Sequence, residues 1–198
     1  MSESRVDARK EESARARIID AAVECFERLG IAKTSLIDVA RVAGLSRGTV
    51  YRYFGDRQTL VNAVIDAGTQ QLFDTVATAM AKKSTFAKQM GAYAEVTVRN
   101  ALEHRSYERL LDDDAILLRK IVGSDEQWFR RSIEFLEPYI LDAKRRGEVE
   151  RSTPVSEAAE WLTRIIMTLA STPSSVSFDV KDPRSVGRFV ERFAVRGL

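Results

Sequence analysis

A short segment near position 50 carries side chains that could bind and read DNA. Between Arg47 and Tyr53 the chain has two guanidinium groups, one hydroxyl and two phenols. Groups of these types reach the phosphate oxygens and the base edges of a duplex. A glycine inside so short a helix costs about 1 kcal/mol of helix propensity, so Gly48 indicates a close approach of backbone to DNA. The candidate DNA contacts in this segment are Ser46, Arg47, Gly48, Thr49, Tyr51, Arg52 and Tyr53.

Two short helices must hold these side chains in place. Gly44 separates the helices and can adopt the positive φ that a tight turn needs. Ser35 and Asp38 have the spacing of a capping box, which begins the first helix, and Ser46 can cap the second. The apolar residues spaced to bury both helices against a third are Leu36, Val39, Ala40, Leu45 and Val50. The pattern predicts a helix-turn-helix, whose second helix enters the DNA major groove.

Helices on either side complete this predicted unit. Apolar residues recur at helical spacing from Ile18 to Leu29, and another helix is expected from Asp56 to about Ala81. Free amides and the helix dipole attract phosphate to helix starts, which adds further candidate DNA contacts. These are Thr34, Ser35 and Arg57.

The DNA-binding domain is predicted to span residues 1–55, and a second domain is predicted to span residues 56–198. Residues 1–12 mix arginines with acids. They are expected to form a flexible basic arm that could enter the minor groove, with a merely disordered tail as the alternative.

Residues 17–65 resemble the DNA-binding domain of the TetR (tetracycline-repressor-like) regulators. The stretches that carry the resemblance are residues 17–22, 26–30, 34–35, 38–40, 43–54 and 56–57, leading to Leu60. The resemblance implies a ligand-responsive repressor that binds a palindromic operator as a dimer. It also implies that ligand binding shifts the fourth helix, which changes the distance between two recognition helices and releases the DNA.

The rest of the chain reads as further helices, with no alternation long enough for a strand. The expected fold is all-α, with about nine helices. A three-helix helix-turn-helix domain is followed by a helical ligand-binding and dimerisation domain. The later helices are expected at about 84–103, 106–121, 126–146, 154–171 and 183–196.

Aromatic and apolar stripes in the second domain could line a ligand cavity or could be plain core. The TetR resemblance implies a cavity among these helices, and its lining favours a small apolar or flat ligand. The candidate ligand contacts are Phe86, Met90, Tyr93, Thr97, Trp128 and Phe129.

Two amphipathic helices near the end of the chain are expected to form the homodimer interface. Helix 154–171 is apolar on more than one side, so it needs a second neighbour beside its own core. Paired with helix 183–196 it would form a two-fold four-helix bundle. The residues assigned to the interface are Leu162, Ile166, Leu169, Phe189 and Phe193.

Composition excludes several other classes of protein. The 198 residues include one cysteine and one histidine, which leaves no Cys- or His-based metal site, and no cofactor is implied. No apolar run approaches a membrane span and no signal peptide is visible, so a cytoplasmic protein is expected. Two alternatives remain: a constitutive DNA-binding regulator with no effector, and an all-α enzyme, although no catalytic constellation is recognisable.

Overall fold

The computed structural model describes residues 2–108, 126–172, 174–195 and 198, and within those ranges it contains helices and no strand. The all-α prediction is confirmed. The helices are α1 (Ser2–Leu29), α2 (Leu36–Ala43), α3 (Arg47–Phe54), α4 (Arg57–Met80), α5 (Phe86–Glu108), α6 (Glu126–Arg146), α7 (Val155–Ser171) and α8 (Pro183–Phe193). Most of the helix expected at 106–121 lies outside the described residues.

The N-terminal unit has a small core built around α2. Val39 and Val50 are fully buried there, together with Ile18 of α1. Leu60 and Ala63 of α4 belong to the same cluster, which explains why the first compact unit extends to Gln70 rather than ending near Gly55. A core this small needs the first turns of α4 to cover it.

The first helix is longer than expected. It begins at Ser2, so residues 2–12 are helical and the expected flexible arm is not what the structure shows. The physical reason lies in the composition of the segment, which has no glycine or proline to end a helix and several good helix formers.

The second compact unit begins at Gln71 and packs α5 along α8 and α6 along α7. The crossing of α5 and α8 is very close because each helix presents a glycine to the other. A Cβ on Gly91 would lie 2.8 Å from the carbonyl oxygen of Gly187, and a Cβ on Gly187 would lie 2.8 Å from that of Gly91. The two backbones therefore meet without side chains between them.

The start of α5 is fixed by a residue far along the chain. The Glu148 carboxylate accepts a hydrogen bond from the Phe86 amide at 2.5 Å and another from Arg146 Nε at 2.6 Å. Burial acts to raise the pKa of Glu148, but these two hydrogen bonds outweigh it and the pKa is lowered. Glu148 thus joins the loop after α6 to the first turn of α5.

The helix starts late in the chain are capped in different ways. Asp182 caps α8 by accepting a hydrogen bond from the Arg184 amide at 3.0 Å, with Pro183 in the first turn. At the start of α7, Pro154 occupies the cap position and provides no side-chain hydrogen bond. Within the described residues, no helix has the length and apolarity to cross a membrane.

Candidate nucleic-acid interface

The start of α2 is fixed by the predicted capping box. Ser35 Oγ accepts a hydrogen bond from the Asp38 amide at 3.2 Å, and the Asp38 carboxylate accepts one from the Ser35 amide at 3.2 Å and one from its hydroxyl at 2.5 Å. The Ser35 hydroxyl, followed by the Ser35 amide, lowers the pKa of Asp38. Ser35 is half-buried, and its hydroxyl is used in the capping box. It lies at the helix start, where the phosphate contact stays a prediction.

The turn between α2 and α3 has the geometry that the sequence predicts. Gly44 adopts φ +63°, and its amide donates to the carbonyl oxygens of Ala40 and Arg41. Arg17 of α1 donates from Nη2 to the Ala43 carbonyl at 2.7 Å, so a side chain from another helix holds the end of α2. This turn sets the direction in which α3 leaves.

Helix α3 divides cleanly into an inner and an outer face. Val50 and Phe54 are buried in the N-terminal core, whereas Tyr51 is 51% exposed. Ser46 caps the helix by accepting from the Thr49 amide at 3.1 Å, and the two hydroxyls lie 2.8 Å apart. The caps and the buried pair together fix which residues face outward.

The outward residues are the ones predicted to contact DNA. Arg47, Gly48 and Arg52 are exposed, and Thr49 and Tyr53 are half-buried. The Arg52 guanidinium lies 5.5 Å from the centre of the Tyr53 ring, which holds a cation against an aromatic face. Tyr53 also packs against the N-terminal core, and the contact of these residues with DNA stays a prediction.

Gly48 has no intramolecular reason to be a glycine. Its φ is not positive, and a Cβ built on it would meet Ser46 Oγ at 3.8 Å, an ordinary contact. The fold would tolerate alanine there, so the glycine points to a requirement outside the folded chain.

Two predicted phosphate contacts are directed into the protein instead. Thr34 is buried, and its hydroxyl donates to the Gly30 carbonyl at 2.7 Å while its amide also donates to that carbonyl. Arg57 donates from Nε to the Thr34 carbonyl at 3.1 Å and from Nη2 to the Ile31 carbonyl. The Thr34 side chain is thus used inside the protein, and a DNA contact at this helix start stays a prediction.

The candidate ligand contacts lie in the core of the second unit. Phe86 and Met90 are fully buried, and Tyr93 and Thr97 nearly so. Burial raises the pKa of the Tyr93 phenol. Phe129 is half-buried beneath the Arg164 guanidinium, 4.9 Å from its ring centre, and the side chain of Trp128 lies outside what the structure describes.

Residues that the sequence reasoning missed surround Tyr93. The Phe135 ring meets Tyr93 edge-on at 5.8 Å and stacks on Phe73 at 4.7 Å. Among the described residues, the hydroxyls of Thr97 and Thr163 are buried without a hydrogen-bond partner. The spacing of Phe135 along α6 could have flagged it, but nothing local singles out Thr163.

The predicted dimer interface needs correction. Leu162 and Ile166 are buried in the core of their own chain, and Leu169 packs against that core. Phe189 is half-buried and stacks on Phe178 at 4.4 Å, whereas Phe193 is 49% exposed. Because α7 is apolar on several sides, its periodicity did not show which side its own chain covers.

The one cysteine of the chain is a core residue. Cys25 is fully buried in the N-terminal core, and burial raises the pKa of its thiol. In the part of the chain that the structure describes, no group of three His, Cys, Asp or Glu residues could hold a metal ion.

A buried, capped α2, a glycine turn and an exposed α3 define a helix-turn-helix DNA-binding domain. The family model for bacterial regulatory proteins of the tetR family matches residues 18–64. The transcriptional regulator TtgR of Pseudomonas putida is 43% identical over 53 residues, which are 27% of this chain and 25% of that relative. The chain therefore matches about a quarter of the length of this relative.

Solved structures extend the similarity to the whole fold. A TetR-family regulator from Pectobacterium atrosepticum has a TM-score of 0.65 at 20% identity, covering 94% of this chain and 90% of that one. The regulator FadR from Bacillus subtilis, in complex with stearoyl-CoA, has a TM-score of 0.62 at 18% identity, covering 92% and 98%. The N-terminal part of the chain therefore matches the tetR family model, and the fold of the whole chain is similar to that of a TetR-family regulator.

Proposed function

We propose that the protein is a DNA-binding transcriptional repressor that binds a palindromic operator as a homodimer and is released by a small apolar effector. The observation that carries the proposal is α3, where Val50 and Phe54 are buried while the cations Arg47 and Arg52 and the phenol Tyr51 are exposed. One such helix contacts too few bases to select a site in a genome, and a two-fold dimer supplies the second helix. The protein would act on the chromosome in the cytoplasm.

The dimer is proposed to form through the exposed apolar side chains of α7 and α8. Trp161 is 53% exposed on α7, and Phe193 is exposed at the end of α8 beside the half-buried Phe189. Large apolar side chains left exposed on two amphipathic helices favour a self-complementary contact. This interface replaces the one centred on Leu162 and Ile166.

The effector site is proposed around Tyr93, Thr97 and Phe135. The aromatic rings there suit an apolar molecule, and the buried, unpartnered Thr97 hydroxyl one turn from Tyr93 would bond a polar group on it. The neighbouring FadR structure holds stearoyl-CoA, which supports an acyl chain as one chemistry to try. Helix α4, which begins next to the helix-turn-helix, is proposed to shift when the effector binds.

The test begins with selection of binding sites from a random duplex library. We expect the wild-type protein to enrich a palindrome and to sediment as a dimer at micromolar concentration. Addition of stearic acid or stearoyl-CoA should raise the melting temperature and release the selected duplex, whereas glucose 6-phosphate should do neither. Failure to enrich any sequence would contradict DNA recognition, and enrichment without release by any apolar compound would support a constitutive regulator instead.

A further inference from the structure

Arg57 is held by the loop that leads into the helix-turn-helix. It is the first residue of α4 and is half-buried. Its guanidinium donates from Nε to the Thr34 carbonyl at 3.1 Å and from Nη2 to the Ile31 carbonyl. Two adjacent donors of one planar group are thus used on two carbonyls of a single loop.

That loop sets the position of α2. Thr34, whose carbonyl Arg57 contacts, directly precedes Ser35, the capping residue of α2. The Thr34 hydroxyl donates to the Gly30 carbonyl and lies 3.3 Å from the Cys25 carbonyl in α1. The loop is therefore hydrogen-bonded to α1 through the Thr34 hydroxyl and to α4 through the Thr34 carbonyl. A change in the Arg57 bonds would act on the capping box itself.

The opposite end of α2 has a matching arginine. Arg17 of α1 donates to the Ala43 carbonyl at 2.7 Å, next to the turn glycine. Both ends of the first helix of the motif are therefore held by guanidinium groups from outside it, one from α1 and one from α4.

We propose that Arg57 is a positioning residue for operator recognition, which acts through the Ile31 and Thr34 carbonyls and not through contact with phosphate. The proposal rests on the DNA-binding function proposed above. Because Arg57 begins α4, a displacement of that first turn is carried to α2 through the same two bonds. Arg57 is then a polar link between α4 and the start of α2, beside the apolar contacts of Leu60 and Ala63 with the same core.

Charge and geometry separate this role from a phosphate contact. A phosphate contact needs a positive charge, which lysine also supplies, whereas the two-carbonyl contact needs the planar fork of arginine. Affinity falls as salt rises, and each lost phosphate contact makes the slope of log affinity against log salt shallower by about 0.9. This change is the same on operator and random DNA.

The experiment measures affinity for the selected operator and for a random duplex at several salt concentrations, with the wild type, Arg57→Lys and Arg57→Gln. We expect both variants to lose operator affinity by on the order of tenfold or more, the effect of one charge-assisted hydrogen bond. Affinity for random DNA and the salt slope should stay at the wild-type values. Far-ultraviolet circular dichroism and sedimentation should show folded dimers, so that a simple loss of folding is distinguished from misplacement of α3.

Arg47→Gln is the matched control, because it removes an exposed cation of α3. It should lower the salt slope and weaken binding to both duplexes. Wild-type operator affinity in Arg57→Lys, together with a lowered slope in Arg57→Gln, would overturn the positioning role and restore the phosphate contact. If the wild type selects no operator while remaining a folded dimer, the proposed function fails and this inference fails with it.

Discussion

The two compact units of this chain differ in the interactions that stabilise each of them internally. In the first unit, short helices are fixed by side-chain contacts with backbone groups: Ser35 and Ser46 begin α2 and α3, and Arg17 and Arg57 hold the two sides of α2. In the second unit, long helices are fixed by their apolar faces and by the close crossing of α5 and α8.

This difference has consequences for function. A helix of eight residues has too little apolar surface to fix its own direction, so local bonds decide where the outer face of α3 points. The long helices of the second unit are fixed instead by extended apolar faces, so their positions depend on packing over many residues.

The largest effect is expected at the buried face of α7. Ile166→Glu places an unpaired charge at a residue that is 1% exposed. Such a charge costs about 4 kcal/mol or more, so we expect loss of the folded second unit rather than a folded monomer. Thermal unfolding followed by circular dichroism measures this effect.

Trp161→Glu is the control on the same helix, because it adds the same charge at an exposed position. It should leave the protein folded and shift sedimentation from dimer to monomer. A folded monomeric Ile166→Glu variant would contradict the assignment of Ile166 to the core of its own chain.

Local features of the fold could be predicted from the sequence, whereas the packing of Ile166 and Trp161 could not. Caps and turns depend on a few adjacent residues, which is why the roles of Ser35, Gly44 and Ser46 could be predicted. Which side of α7 faces its own chain depends on helices distant in sequence, and periodicity does not encode that choice.

Polar contacts between residues far apart in the chain could not be predicted from the sequence either. Arg57 and Thr34 have the residue types and the position of phosphate contacts, and only the packed structure shows that their donors turn inward. The contact of Glu148 with the start of α5 joins residues far apart in the chain, so no local pattern announces it.

The next effect tests the close crossing in the second unit. Gly91→Ala puts a Cβ 2.8 Å from the Gly187 carbonyl oxygen and 3.1 Å from Glu191 Cβ, and we expect a loss of about 1–3 kcal/mol in urea unfolding. Gly68→Ala is the matched change in α4, where a Cβ meets nothing within 4 Å. It should stabilise by up to about 1 kcal/mol, and equal effects of the two changes would contradict the crossing.

Glu148 makes the second unit sensitive to acid. Its folded-state pKa is lowered below the ordinary value of 4.5, so its stabilising contribution is complete above that pH and is lost as the pH falls through the lower folded-state pKa. Glu148→Gln should cost about 1 kcal/mol at neutral pH and flatten the acid dependence of the unfolding free energy. Glu134→Gln, an exposed change on α6, should leave that dependence as in the wild type.

The smallest effect on stability is expected at Gly48, and its sign is informative. Gly48→Ala should stabilise the fold by up to about 1 kcal/mol, because the new Cβ meets only an ordinary contact. Operator affinity should nevertheless fall, since the added methyl group stands where the backbone approaches DNA. Denaturant unfolding measures the expected gain in stability, and duplex binding with the same preparation measures the expected loss of operator affinity. Unchanged operator affinity would show that Gly48 is not part of the DNA interface.

The most direct test of the account is the affinity of Tyr51→Ala for the selected operator and for a random duplex at one salt concentration. Tyr51 is half exposed on the outer face of α3 and supports no buried contact of the core. We predict a loss of about 1–3 kcal/mol on the operator and almost none on random DNA, because a base contact carries specificity. Equal losses on the two duplexes would contradict base reading by α3.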